Sequence, residues 1–177
     1  MKTTLTRRHF LRCSTVTATS LLVLRNSRLA FAADANARLN VAAIGIGDLG
    51  RGKIDNVAGC GANLVALCDV DHAHAADTFK KYPQARAFKD FRRMLDTMGR
   101  EIDAVIVSTP DHTHTVAAVA AMQSGKPVYC EKPLTRTVHE ARIMRETALR
   151  TGVVTQMGNQ GSATDGLRRG VELVLDG

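Results

Sequence analysis

The 177-residue sequence has no tryptophan and contains only two tyrosines and five phenylalanines. Proteins that grip nucleic acid by base stacking need more aromatic surface than this, so the composition argues against that class. Cysteine is equally scarce, with Cys13, Cys60, Cys68 and Cys130 the whole supply. Their spacings match neither a zinc site nor a CxxC motif, and so few thiols cannot build a disulfide framework. The modestly apolar stretch over residues 13–24 has 12 residues, where a bilayer span needs about 20, so no stable membrane span is expected. Internal repeats and low-complexity linkers are absent as well.

Acids are missing from the first 32 residues, which carry Lys2, Arg7, Arg8, Arg12, Arg25 and Arg28. The paired arginines of TRRHFLR (residues 6–12) precede that short apolar stretch, and Ala30, Phe31 and Ala32 offer a small-x-small cleavage site. The arrangement resembles a twin-arginine signal over residues 1–32 and implies a periplasmic or otherwise exported protein. Taking those six bases from the 24 in the chain leaves 18 against 17 acids, a net charge of +1. The high isoelectric point therefore belongs to the leader, and the remainder has no electrostatic footprint for nucleic acid. That remainder, about 145 residues, is large enough for one domain with its own core.

From residue 40 onward, short apolar runs alternate with longer amphipathic ones. LNVAAI (39–44), NLVALCD (63–69), ARAF (85–88), IDAVIVST (102–109), PVYCE (127–131) and VVTQM (153–157) read as strands. Residues 73–81, 90–98, 113–125, 138–150 and 165–175 read as helices, with Gly125 as a stop signal. Strands apolar throughout and alternating with helices predict an α/β fold, a doubly wound parallel sheet, with a dinucleotide-binding domain over residues 38–160. Cys68 and Cys130 then read as buried strand thiols. In such sheets ligands bind at the carboxyl ends of the strands, where the polar punctuation of this sequence falls.

The first strand runs into GIGDLG, residues 45–50, and a helix is predicted to open there. Gly45 permits a tight turn, Gly47 lets the backbone approach a pyrophosphate, and Gly50 lets helix and strand pack closely, with Asp48 and Leu49 completing the candidate loop. The helix N-terminus adds unpaired N–H groups and partial positive charge. Asp69 ends the second strand 19 residues after Gly50. A carboxylate there accepts hydrogen bonds from ribose hydroxyls and repels a 2′-phosphate, which favours NAD over NADP. Asp71 is a competing candidate, or a cap for the next helix.

STPDHTH (108–114) places two histidines two residues apart. On a helix His112 and His114 point in opposed directions, which argues against a shared metal ion, and no metal is expected. Asp111 and Thr113 carry helix-capping chemistry; a cofactor or substrate contact from this segment is the other reading. YCEKPL (129–134) ends an apolar run in Glu131 and Lys132. Lys132 is either a solvated turn residue or a proton-transfer group. Removing a hydride from a carbinol carbon requires its hydroxyl proton to leave too, and a partly buried lysine can accept it.

The glycine loop, STPDHTH and CEKPL, in that order at strand ends, are together similar to the Gfo/Idh/MocA oxidoreductase family over residues 40 to about 160. The resemblance implies that Lys132 is catalytic, beside the nicotinamide and the substrate, with Glu131 nearby. It also implies that Thr109, Pro110, His114, Glu131 and Lys132 contact the cofactor, and that Gln156 and Asn159 approach its nicotinamide end. The Lys132–Pro133 bond is one that can be cis, which would fix the lysine's direction. The implied activity is NAD(P)-dependent oxidation or reduction of a sugar or cyclitol. Export with a bound cofactor would require each turnover to restore it, which favours a sugar–sugar oxidoreductase or an NAD-dependent glycosidase on the same scaffold. A non-catalytic NAD-binding fragment is the third reading. Family members continue into a C-terminal α/β substrate domain that often forms the oligomer interface. The resemblance thus implies that residues 161–177 begin the connection to a domain lacking here, and that a homo-oligomer requires it.

Overall fold

The computed structural model describes residues 38–177, so the twin-arginine stretch lies outside the described residues. The apolar runs form six strands: β1 Asn40–Ile44, β2 Asn63–Cys68, β3 Arg86–Phe88, β4 Ala104–Val107, β5 Val128–Glu131 and β6 Thr155–Gly158. Between them lie α1 Asp48–Gly59, α2 Ala76–Lys81, α3 Phe91–Met98, α4 His114–Gln123 and α5 Val138–Thr151, and α6 Asp165–Asp176 follows β6. Every neighbouring pair is parallel, in the order β3-β2-β1-β4-β5-β6. This is the doubly wound α/β sheet expected from the alternation. The chain starts at the centre, builds outward to β3, returns to β4 beside β1, and builds outward the other way.

Alternation of side chains along each strand divides the core between two faces. Val41 and Ala43 of β1 pack with Ile54 of α1, Leu64, Leu67 and Ala75. Ala42 and Ile44 point the other way, toward Met94, Leu95, Val107, Ala118, Met122 and Cys130. Ile54 is fully buried, which stabilises the α1–sheet contact by about 2 kcal/mol. Helix ends follow from local chemistry. Asp90 caps α3 by accepting the Arg92 amide, Thr137 and Glu140 close a capping box on α5, and Gly152 ends α5 in the left-handed region.

Several boundaries differ from the expected ones. The helix expected over 73–81 begins at Ala76, because Asp71 Oδ1 accepts the amides of Ala73 and His74 and holds that segment in turns. Asp111–Thr113 form a 3-10 turn in which neither Asp111 nor Thr113 caps α4; Thr113 Oγ1 donates to the Pro110 carbonyl at 2.8 Å instead. The β4 ladder covers only Ala104–Val107, which frees Ser108 and Thr109 for the loop beyond it, and β6 is Thr155–Gly158 rather than 153–157. Cys68 and Cys130 are buried in their strands.

Candidate functional site

β1 and β4 are central neighbours whose following helices leave to opposite faces, so a crevice opens at their carboxyl ends. The Gly45 amide donates to the Cys68 carbonyl and the Ser108 amide to the Ile44 carbonyl, which draws the ends of β1, β2 and β4 together. Gly45 takes φ +79, and a Cβ there would stand 2.7 Å from the Ser108 carbonyl and the Thr109 nitrogen. A Cβ at Gly50 would strike the Gly45 carbonyl, so α1 starts directly against the loop. No side chain caps α1, and its first amides are available to an anion. Asp48 sits at that N-terminus with φ 37, a region aspartate tolerates better than most residues. Its Oδ2 lies 3.2 Å from His74 Nε2.

Asp69 holds the rim of the crevice. Its Oδ2 accepts the Ile46 amide at 2.9 Å and its Oδ1 the Asp71 amide at 3.0 Å. A carboxylate has roughly four acceptor positions, which leaves about two for hydroxyl donors. Asp71, the competing candidate, is occupied by the amides of His74 and Ala73, and those bonds hold its carboxyl below the usual range. Gly45, Gly47, Asp48, Leu49, Asp69, Thr109 and Pro110 line one cavity of about 460 Å³. Ser108, His112 and Thr113 of the STPDHTH segment line it too, as do Val70, His74 and Lys89, and none of these last three was singled out from sequence. Ser108 Oγ and Thr109 Oγ1 are buried with no hydrogen-bond partner among the described residues. At the cavity wall these two leave hydrogen-bonding capacity for a polar ligand; Thr115 Oγ1 of α4, outside the cavity lining, is a third such atom.

His114, Glu131 and Lys132 stand outside that cavity. His114 is 1% exposed, with Nδ1 2.8 Å from the Pro133 carbonyl and Nε2 2.7 Å from the Thr109 carbonyl. The resemblance implied a cofactor contact from this histidine; here the ring is a brace between the Thr109 loop and the turn after Lys132. The Lys132–Pro133 peptide is cis, and Lys132 is exposed rather than partly buried among the described residues. Glu131 is buried. Burial pushes its carboxyl up, but the Lys53 ammonium and the Tyr129 hydroxyl outweigh that and hold it below the ordinary range. Burial and the Glu131 charge push the Tyr129 hydroxyl up to about 12. Burial likewise raises the Cys68 and Cys130 thiols to about 12. Asn159 is exposed. Gln156 lines a separate apolar cleft of about 450 Å³, together with Lys53, Ile106, Tyr129 and Val154. No group of three or more metal-ligating side chains occurs among the described residues.

Comparison with known proteins bears on the family and the fold. The GFO_IDH_MocA family model, described as an oxidoreductase family with an NAD-binding Rossmann fold, matches residues 39–159. Inositol 2-dehydrogenase 2 of Saccharopolyspora erythraea is 35% identical over 116 residues, 64% of this chain and 34% of that protein. The scyllo-inositol 2-dehydrogenase (NAD(+)) of Bacillus subtilis is 32% identical over 123 residues, 68% of this chain and 35% of that protein. Among solved structures, an NAD binding oxidoreductase from Klebsiella pneumoniae superposes with a TM-score of 0.68 at 31% identity, over 80% of this chain and 39% of that one. A myo-inositol 2-dehydrogenase from Lactobacillus plantarum superposes with a TM-score of 0.71 at 26% identity, over 80% and 42% of the two chains. The chain thus spans about a third of the length of the curated relatives it matches.

Proposed function

Because the chain belongs to the Gfo/Idh/MocA oxidoreductase family, we propose that residues 38–160 bind NAD for an oxidoreductase that acts on a cyclitol or sugar. The carrying observation is a single cavity at the β1/β4 switch point that combines a glycine cradle, an uncapped helix N-terminus, the Asp69 carboxylate and the orphaned hydroxyls of Ser108 and Thr109. These groups fit a dinucleotide: amides of α1 for the pyrophosphate, Asp69 for ribose hydroxyls, and Ser108 and Thr109 as polar contacts further along. When bound, the nicotinamide supplies the hydride acceptor.

The chain's own part in the chemistry falls to Lys132. Its side chain is exposed and so open to a substrate, and in this reading it exchanges the carbinol hydroxyl proton once cofactor and substrate cover it and displace its water. His114 holds the Pro133 carbonyl and Glu131 the Lys132 amide, and together they set where that amine projects. Asp69 disfavours a 2′-phosphate, which supports NAD over NADP. The cyclitol assignment draws on the inositol dehydrogenases among the relatives.

Calorimetry of the purified protein tests the reading. NAD should bind more tightly than NADP, and Asp69→Ala should weaken NAD about 10- to 100-fold, the range of a lost charged hydrogen-bond acceptor. Lys132→Met should spare NAD affinity and, in a protein that also carries a substrate domain, abolish inositol-dependent NADH formation. A folded protein that ignores NAD would sink the proposal. Export is its second element, supported by Arg7, Arg8 and the short apolar stretch after them. Replacing both arginines by lysine should leave the protein in the cytoplasmic fraction.

A further inference from the structure

Lys53 lies in the second turn of α1 and reaches across the sheet to Glu131 at the end of β5. Its Nζ is 2.8 Å from Glu131 Oε1, and the two side chains are 16% and 8% exposed. The Tyr129 hydroxyl donates to the same oxygen at 3.1 Å, and Glu131 Oε2 accepts the Lys132 amide at 3.3 Å. From the β6 side, Gly158 closes the group so tightly that a Cβ would come within 2.6 Å of Glu131 Oε1. Every polar atom of the carboxylate is thereby engaged by the protein itself, away from the dinucleotide cavity.

Burying an ion pair returns less stability than a well-packed apolar pair of similar volume, because both charges lose their hydration. A pair kept at this cost fixes an arrangement. Here the arrangement joins two functional pieces. The N-terminus of α1 forms one wall of the cavity, and Glu131 Oε2 holds the backbone of the residue that projects the proton-transferring amine. We propose that Lys53 is a positioning residue for Lys132: it orients the Glu131 carboxylate, which in turn holds the Lys132 amide, and so ties the pyrophosphate-facing helix to the proton-transfer turn. The role of Lys132 rests on the function proposed above; the link through Glu131 rests on geometry alone.

Amide resonances of the ¹⁵N-labelled full chain read this link directly. In the absence of NAD, Lys53→Met should shift the Lys132 and Leu134 amides while amides of β2 and β3 stay in place, and Lys53→Arg should restore the Lys132 signal. A purely structural lysine would lower the melting temperature without singling out Lys132. If Lys53→Met does not fold, the double variant Lys53→Met/Glu131→Gln, which leaves no unpaired buried charge, is compared with Glu131→Gln alone, so that the difference at the Lys132 and Leu134 amides belongs to Lys53. Unmoved Lys132 and Leu134 amides in whichever variant folds overturn the proposal. Adding NAD to the wild-type protein separates the two claims. Failure of the glycine-loop amides to respond would count against the cofactor reading, and the Lys53 comparison would stand without it.

Discussion

At Asp48 the chain puts a carboxylate on the N-terminus of α1, in a left-handed conformation and beside His74. An acid at that end interacts favourably with the helix dipole by about 0.3–1 kcal/mol, and its charge repels a phosphate brought to the same helix end. Asp48→Asn should therefore lower thermal stability slightly and raise NAD affinity about two- to fivefold at low ionic strength. The gain should shrink as salt screens the charge. Titration calorimetry of both proteins at two salt concentrations checks this; a loss of affinity would mean that the Asp48 carboxylate itself contacts the ligand. Legibility at this scale follows reach along the chain. Gly45, Gly47, Gly50 and Asp69 were readable because their role depends on backbone shape and on position after a strand. Lys53 was not, because its partner Glu131 is distant in sequence and is met only across the sheet. His114 showed its type but not its partners, the carbonyls of Thr109 and Pro133.

Elements shift where side chains compete with the backbone for its hydrogen bonds. Asp71 cost α2 its expected first turn, and the Pro110–Thr113 turn replaced a capped start for α4. Periodicity reports burial, not these local bonds, so element types were legible while ends were not. The joint between α1 and β5 carries a pH signature. Glu131 is held below the glutamate reference of 4.5 in the folded protein, so the folded state binds its proton less readily than the unfolded state. Its contribution to stability is then complete above pH about 4.5 and lost as pH falls through the depressed folded value. The difference in melting temperature between wild type and Glu131→Gln should be flat from about pH 5 to 8 and narrow on acidification. A difference that does not change down to about pH 3 would mean Glu131 is not ionised in the fold.

For the molecule as a whole, the doubly wound sheet was legible because apolar strands alternating with helices have few other ways to bury both faces. What the pattern does not report is unequal coverage. α3, α4 and α5 cover one face, while on the other α1 and α2 pack near β1 and β2 and leave an apolar cleft of about 450 Å³ over β4, β5 and β6. Val154 sits in its lining at 74% exposure. Its carbonyl accepts the Val128 amide, and the side chain is free to change without breaking that bond. An exposed apolar surface of this size binds hydrophobic dyes even in a well-ordered protein. The native protein should therefore enhance the fluorescence of anilinonaphthalene sulfonate, a response otherwise diagnostic of loosened packing. Well-dispersed amide resonances distinguish the two causes. Val154→Asp should cut the enhancement sharply while stability changes by no more than about 0.5 kcal/mol, as for other surface substitutions. A native protein that leaves the dye dark, or a variant as bright as wild type, would show that the cleft is closed in solution by elements that this arrangement holds apart.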